Sequence, residues 1–508
     1  MATFKKAKFL AAFILSSALP HTLADNQYRS RPDLAPPRLN ITIPSPTSNS
    51  TEYVFIAPYS GDLEKAGPYV YRKDGDLVWA GTGYYSGFVG NFHVTKYQGK
   101  DVLQAFQGTI DSSHGEGFGQ HVLLDQSYQH VVTSLAGNHR VSSIHEFNVV
   151  DGKSALIEIF GTVPANLTAY GGNSSQTWLG NGIFQEVDIS TGELLFEWNA
   201  LNHLDPADSL VPLASTAANN ALTSASAWDY LHINSIDKDE EGNYLVSARH
   251  FSTIYKINGT DGSIIWQLGG RKPSFSLSGN WSFGFQHHAR WRPELVKPGS
   301  NTEVISFFDN SGNGAITYND VSSALVVEIN YTAKTASIRR KLSAPYGLQA
   351  KSQGNAQLLP DGRVFVNWGS EGALTEFSAD DKIAFHAFIE QDAVSYRGFV
   401  GNWTGLPVET PALVALREGP NKMKLYVSWN GDTEAVAWRF FYSRSKGPSQ
   451  KVLVGQAEKR SFETVFTWDA PRVLSSNARF FAQAVGWDGA LLSQSAVVGS
   501  SVDVGVVG

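Results

Sequence analysis

The sequence predicts an all-β protein with a six-bladed β-propeller over residues 50–400, followed by a small C-terminal β-sandwich over residues 408–508. Three observations support this prediction. A unit of alternating strands joined by Gly, Asp or Asn turns recurs along the chain, no helical periodicity separates the copies, and the character of the sequence changes after Pro407. A four-stranded unit repeated in this way is typical of a propeller, whereas a long sandwich needs no repeating order.

Each repeated unit contains a hairpin, and the two clearest copies are FQEVDISTGELLFEW (184–198) and IYKINGTDGSIIWQL (254–268). Polar and apolar residues alternate in both, and the chain turns at a glycine, as expected of paired antiparallel strands. Further copies occupy residues 70–81, 121–135, 324–342 and 374–389. Another apolar strand precedes each copy after the first, at residues 100–108, 153–162, 243–251, 302–310 and 362–370. The unit therefore has about four strands and occurs about six times.

The two ends of the chain differ from the repeat region. Three lysines followed by a short apolar run over residues 9–19 predict a signal peptide, residues 1–24, cleaved near Ala24. Residues 25–49 are rich in Pro, Ser and Asn and predict an irregular leader. Alternating segments after Pro407 predict the antiparallel strands of an immunoglobulin- or fibronectin-like sandwich. The mature protein is therefore predicted to be secreted.

Composition excludes several classes of function. The chain has 508 residues, a net charge of −7 and no Lys/Arg run, which argues against a nucleic-acid partner. No segment after the signal peptide is apolar for long enough to anchor the protein in a membrane. Cysteine is absent, so disulfides, thiolate nucleophiles and Cys-metal sites are excluded.

Asn-x-Ser/Thr sequons indicate a glycosylated eukaryotic protein, because eight of them occur in a chain with an export signal. They are Asn40, Asn49, Asn166, Asn173, Asn258, Asn280, Asn330 and Asn402.

Three histidines share one position in the repeat. His145, His232 and His287 each lie in the strand that precedes a Gly-turn strand of consecutive units. Equivalent strands of a propeller surround its central channel, so these side chains are expected to converge there. Burying three imidazoles without partners is costly, and a functional site explains that cost more directly than packing does.

Such a cluster has two interpretations. It can bind a metal such as zinc, or its imidazoles can act directly as nucleophile and proton-transfer groups. Arg249 favours the second, because a guanidinium repels a divalent cation and attracts an oxyanion. Glu146 is the one acid near the histidines in these segments, which also argues against a metal. We therefore predict no metal and no cofactor.

Several short motifs resemble the arylsulfate sulfotransferase (arylsulfotransferase) family, in particular its secreted fungal branch. They are IHEF (144–147), DYLHINS (229–235), SARHFSTIYKI (247–257), DGSIIWQLGG (261–270), FQHHARW (285–291) and ISFFDN (305–310). The resemblance implies a six-bladed propeller with its active site in the central channel. It also implies transfer of a sulfuryl group from an aryl sulfate ester to a phenol through a sulfated histidine, without a nucleotide donor.

The motifs assign roles by position. The resemblance implies that His287 is the nucleophile, that His232 and His145 accompany it, and that Arg249 holds sulfate oxygens. His288 stands where relatives often carry an acid. In an extended strand it is expected to point away from His287.

Two other functions fit the same sequence. One is a non-catalytic secreted propeller that binds glycans or aryl ligands. The other is a metal- or quinone-dependent oxidoreductase built on a propeller.

Overall fold

The computed structural model describes residues 27–46, 51–443 and 451–502, and there the regular structure consists of strands and three-residue 3₁₀ turns. Among these residues, no helix is long and apolar enough to cross a membrane. The predicted signal peptide and the sequon at Asn49 lie outside the described residues.

Six small sheets form the six blades of a propeller, as predicted. From the centre outward, the strands are Val394–Asn402, Glu52–Tyr59, Tyr69–Tyr71 and Leu77–Ala80 in blade 1; Phe88–Tyr97, Lys100–Asp111, Glu116–Leu124 and His130–Ser134 in blade 2; and Phe147–Val150, Ser154–Pro164, Trp178–Asp188 and Leu194–Asn199 in blade 3. They are Ile233–Lys238, Tyr244–Ala248, Thr253–Ile257 and Ile264–Gly269 in blade 4; His287–Trp291, Thr302–Asp309, Ser323–Asn330 and Thr335–Ser343 in blade 5; and Asn355–Leu358, Val364–Asn367, Ala373–Phe377 and Ile383–Ile389 in blade 6. Two-residue strands extend blades 3 and 5, at Trp228–Asp229 and Ser276–Leu277. Each innermost strand contacts the innermost strands of both neighbouring blades, which closes the ring.

The predicted hairpins are the two outer strands of each blade. In the clearest two, Phe184 pairs with Trp198 and Ile254 pairs with Leu268. Apolar side chains from adjacent blades fill the space between them, as Phe55 of blade 1 and Leu103 of blade 2 do within one buried cluster. Most blades therefore bury both of their faces, one against each neighbouring blade.

The ring closes with strands from opposite ends of the propeller sequence. Val394–Asn402 is the innermost strand of blade 1 and pairs antiparallel with Glu52–Tyr59. Blade 6 has a fifth, outermost strand, Leu39–Ile43, which pairs with Ile383–Ile389. The prediction of an irregular leader is wrong for these five residues. Their apolar side chains alternate with polar ones, and blade 6 offers them an open edge.

The C-terminal unit is a β-sandwich, as predicted. Its strands are Ala412–Arg417, Lys422–Ser428, Ala437–Ser443, Lys451–Glu458, Glu463–Asp469, Arg479–Val485, Leu491–Gln494 and Val498–Val502. Val498–Val502 pairs with a strand of each layer. Phe440 and Phe466 stack between the layers, with ring centroids 4.7 Å apart. The sandwich contacts the propeller at blade 1, where Asn430 Oδ1 accepts a hydrogen bond from the Ala80 amide at 2.8 Å.

The described sequons have accessible asparagines, none of which is buried. At Asn166, Asn173 and Asn258, the side-chain oxygen accepts a local hydrogen bond. Glycosylation stays a prediction.

Candidate active site

The four residues predicted for the site line one cavity of about 430 Å³ at the centre of the ring. His145 and His232 lie just before the innermost strands of blades 3 and 4, and His287 begins that of blade 5. Arg249 follows the second strand of blade 4. The shared position in the repeat therefore brings the three histidines together, with the rings of His145 and His232 4.7 Å apart.

His287 presents an unprotonated Nε2 to the cavity. Its Nδ1–H donates to Asn310 Oδ1 at 2.6 Å, and the Asn310 nitrogen donates to the backbone oxygens of Ala350 and Gln353, both at 2.9 Å. These two donations fix the amide orientation, so Nδ1 of His287 must carry the proton. Nε2 accepts a longer hydrogen bond, 3.3 Å, from the Gln353 amide. Burial, aided by the charge of Arg249, lowers the pKa of His287 well below its usual value.

His145 is surrounded by carboxyl groups. Its Nδ1 lies 3.1 Å from Glu116 Oε2 and 3.4 Å from Glu158 Oε2, and all three residues are buried. Burial lowers the pKa of His145, but the negative charge of Glu116 and hydrogen bonding to the Glu116 and Glu158 carboxyls outweigh burial and raise the pKa well above its usual value. His145 is therefore an imidazolium, and its Nε2 makes no hydrogen bond within the described part of the chain.

His232 is oriented by Asp229, three residues earlier in the sequence. Its Nδ1 donates to Asp229 Oδ2 at 2.6 Å, which directs Nε2 away from the carboxylate. Burial lowers the pKa of His232 well below its usual value, despite the opposing charge of Glu116. A neutral His232 with a free Nε2 can accept a proton.

Arg249 is held by neutral acceptors. One guanidinium nitrogen donates to His250 Nε2 at 2.7 Å, and another donates to the Lys351 backbone oxygen at 2.9 Å. Its Nε is buried without a hydrogen-bond partner. Burial lowers the pKa of Arg249 to about 10, so the group stays charged at neutral pH. This cation is therefore available to an anion in the cavity.

One side of the cavity wall is aromatic and aliphatic, and sequence reasoning missed it; serines and Gln353 also line the cavity. Tyr59, Ile110, Ile144, Val394 and Tyr396 line this side. The Tyr396 hydroxyl is buried and has no hydrogen-bond partner among the described residues, although Tyr396 borders the cavity. The cavity thus has a cationic side and an apolar side, as a substrate with one anionic and one aryl part requires.

Glu146 and His288 lie away from the cavity. Glu146 accepts hydrogen bonds from Arg397 at 2.9 Å and from Arg290 at 2.7 Å. His288 donates a hydrogen bond from its Nδ1–H to the Ala356 backbone oxygen at 3.1 Å. It has φ 55°, and the strand register shifts between His287 and Arg290. A bulge, rather than simple strand alternation, therefore separates the two adjacent histidines.

The prediction that no acid other than Glu146 lies near the histidines is wrong. Glu116 comes from blade 2, and Asp229 comes from the segment before blade 4. Two groups, Glu116 with His145 and His232, and Asp229 with His232 and His250, hold ligand-type atoms within 4.8 Å of one another. The prediction that the site binds no metal stays a prediction.

A closed six-bladed ring whose central cavity is lined by Arg249 and four histidines, the three predicted ones and His114, defines a propeller protein with a candidate group-transfer site. The chain belongs to the arylsulfotransferase (ASST) family, whose model matches residues 93–390, more than half of its length. The match covers most of blades 2 to 6 and includes His145, His232, Arg249 and His287.

The other comparisons are less informative. No curated protein matches this chain. A protein of unknown function from Bacteroides caccae is 12% identical over 69% of this chain and 99% of its own, with a TM-score of 0.38. A protein from Lactobacillus plantarum is 11% identical over 82% of this chain and 99% of its own, with a TM-score of 0.33. AztD from Citrobacter koseri is 11% identical over 70% and 98%, with a TM-score of 0.31.

Proposed function

We propose that the protein is a secreted aryl sulfotransferase of the fungal branch, which moves a sulfuryl group from an aryl sulfate ester to a phenol through a sulfohistidine at His287. Family membership supports aryl sulfates and phenols as substrates. The observation that carries the proposal is the unprotonated Nε2 of His287, which shares a cavity with a guanidinium that has no carboxylate partner. No nucleotide donor is required.

In the first half-reaction, the Nε2 lone pair of His287 attacks the sulfur of the donor. The S–Nε2 bond forms, the bond from sulfur to the aryl oxygen breaks, and its electron pair leaves with that oxygen. The His145 imidazolium gives its Nε2 proton to the departing phenolate. Arg249 binds the non-bridging oxygens, where charge accumulates as it does in phosphoryl transfer.

In the second half-reaction, the acceptor phenol replaces the phenol product. A neutral imidazole, His145 or His232, takes the hydroxyl proton while the phenol oxygen attacks sulfur. The S–Nε2 bond breaks, and its electron pair returns to His287. The proton count is restored over the two steps, and a covalent intermediate of this kind predicts ping-pong kinetics.

The groups that contact Nδ1 support the roles of His287 as nucleophile and His145 as acid. An uncharged amide beside His287 leaves the ring neutral and nucleophilic. Carboxyl groups beside His145 keep that ring charged and acidic. His232 also has a carboxylate at Nδ1, Asp229, but burial and the nearby positive charges lower its pKa well below the usual value, so we give it the role of a base.

Asn310→Asp tests this assignment. The introduced carboxylate favours the imidazolium form, so the pKa of His287 rises and the acidic limb of the kcat/KM profile moves to higher pH. Each unit by which that pKa exceeds the assay pH costs about tenfold in the reactive fraction. We expect activity at neutral pH to fall and to recover as pH rises. Asn310→Leu, which adds no charge, is the control. An unmoved acidic limb would contradict the assignment.

Arg249→Lys keeps the charge but removes the planar fork. We expect the donor kcat/KM to fall at least about tenfold, and about 10²- to 10³-fold in Arg249→Ala, where the oxygens lose their charged donor altogether. Steady-state kinetics with phenyl sulfate measures both. Arg460→Ala, an exposed arginine on the sandwich, is the control and should leave the rate unchanged. Equal activity in Arg249→Ala would exclude the role.

The proposal as a whole is tested by incubating the protein with an aryl sulfate and a panel of phenols. We expect a sulfated acceptor and, without acceptor, a sulfated peptide containing His287. Binding of aryl ligands with no transfer and no sulfated peptide would instead support the non-catalytic propeller. N-terminal sequencing of protein recovered from the culture medium tests secretion and cleavage near Ala24.

A further inference from the structure

The charges around the cavity are almost fully paired. His145 faces Glu116, with 3.1 Å between Nδ1 and Oε2. His114 also lines the cavity, and its two nitrogens lie 2.7 Å from Asp111 Oδ2 and 3.0 Å from the Ala227 backbone oxygen. Both of these partners are acceptors, so both nitrogens must carry protons and His114 is a cation paired with Asp111.

Arg249 is the exception among these cations. Within the described part of the chain, no carboxylate oxygen lies within ion-pair distance of its guanidinium, which donates to an imidazole and a backbone oxygen instead. The cavity therefore offers one positive charge that no acid neutralises.

Two buried carboxylates, Glu116 and Asp229, contact the cavity histidines that would lie next to any further negative charge of a substrate. Glu116 and Asp229 are 0% and 2% exposed, and each contacts the Nδ1 of a cavity histidine on the side away from the cavity. Glu116 also lies 3.5 Å from His232 Nδ1. Water screens buried charges poorly, so a second negative charge in the cavity would be repelled by both carboxylates.

We propose that Glu116 and Asp229 make the cavity select singly charged sulfate esters over doubly charged phosphate monoesters of the same aryl group. This inference rests on the proposed function, because it concerns the donor of that reaction. Arg249 balances the single charge of a sulfate ester. A dianionic phosphate monoester of similar shape brings a second charge, but the other cations of the cavity, His145 and His114, are already paired with carboxylates. Those buried carboxylates repel the second charge, and such like-charge contacts exclude wrong partners effectively.

The experiment compares phenyl sulfate, phenyl phosphate and methyl phenyl phosphate as ligands at about pH 5 and about pH 7. A phosphate monoester loses its second proton with a pKa of about 6 and then carries two negative charges, whereas the other two probes stay singly charged. Glu158 stays largely protonated at both pH values, because burial and Glu116 raise its pKa to about 8. The two singly charged probes report any effect of pH on His145 and His114.

Binding is measured by calorimetry on the full-length His287→Ala protein, which cannot form the covalent intermediate. We expect the affinity for phenyl phosphate, relative to both singly charged probes, to fall by close to its limit of about tenfold from pH 5 to pH 7, because the singly charged form falls about tenfold over that range. Glu116→Gln and Asp229→Asn, each combined with His287→Ala, should reduce that loss. Each substitution is tested in its own protein, so the comparison can still be made if one of the two variants misfolds. Circular dichroism and thermal melts verify each fold.

Two results would overturn the inference. One is a ratio of the affinities for phenyl phosphate and methyl phenyl phosphate that is the same at pH 7 as at pH 5. The other is a loss that stays the same in both carboxylate variants. Neither result depends on turnover. A protein that discriminates between the probes but never transfers sulfate would contradict the proposed function alone.

Discussion

Replacement of His287 by alanine is expected to abolish sulfuryl transfer, with a loss of at least about 10⁴-fold in kcat, because the lone pair that forms the S–N bond is removed. The other three histidines that line the cavity each pair through Nδ1 with a carboxylate, whereas Nδ1 of His287 bonds to the neutral amide of Asn310. The proposed mechanism therefore gives none of them the role of nucleophile. The measurement is a single-turnover assay with phenyl sulfate, followed by mass analysis of the peptide that contains residue 287. Neither phenol release nor a sulfated peptide should be detected.

The adjacent histidine supplies the matched control. His288→Asn changes a buried imidazole next in the chain, but one that lies near the Ala356 backbone oxygen rather than in the cavity. It should retain the sulfated peptide, even if its stability falls. Sulfation at His288 in the wild type, or a normal burst of phenol in His287→Ala, would refute the assignment.

Glu146→Gln is expected to destabilise the propeller by about 3 to 5 kcal/mol, because it leaves buried arginines without their counter-charge. Glu146 and Arg397 are 0% and 1% exposed, and Arg290 donates to the same carboxylate. These side chains come from blades 1, 3 and 5, so their contacts bridge the centre of the ring. Urea denaturation at constant pH measures the free energy of unfolding.

An exposed carboxylate gives the comparison for this variant. Glu458 pairs with Arg460 on the sandwich surface, where both side chains are mostly exposed, so Glu458→Gln should change stability by about 1 kcal/mol or less. Burial opposes ionisation of Glu146, but Arg290 and Arg397 lower its pKa below the usual value. The stabilisation that ionised Glu146 provides is therefore present above its unfolded-state pKa, and it is lost as the pH falls through the lower folded-state pKa. Equal losses in the two variants would contradict the role of Glu146.

The parts of the fold that repeat could be predicted from the sequence. A hairpin such as residues 254–268 shows period-two alternation and a glycine turn, and both signals are local. The position of His145, His232 and His287 in the repeat is a local signal as well, and the ring converts it into proximity. The family motifs then assign roles that geometry alone would leave open.

The missed residues share a different property, because no repeat marks them. Glu116 lies at the start of a strand in blade 2, which has no histidine at the shared position. Asp229 is three residues before His232, a spacing that indicates a contact only once the chain is known to turn between them. Tyr396 lies on Val394–Asn402, a strand that belongs to the first blade although it ends the repeat region. Contacts between such residues depend on ring closure, which local patterns do not encode.

That closing strand also sets the order in which a working protein can arise during synthesis. Val394–Asn402 carries Tyr396 on the cavity wall and Arg397, which reaches Glu146 on the far side of the axis. A nascent chain released from the ribosome only as far as blade 6 has the three histidines but lacks this wall and this ion pair. Domains fold as units during translation, so the cavity is completed after the last blade has emerged, just before the sandwich. A product that ends between blade 6 and Val394 therefore keeps the family motifs but lacks the closing strand and the part of the cavity wall that Tyr396 supplies.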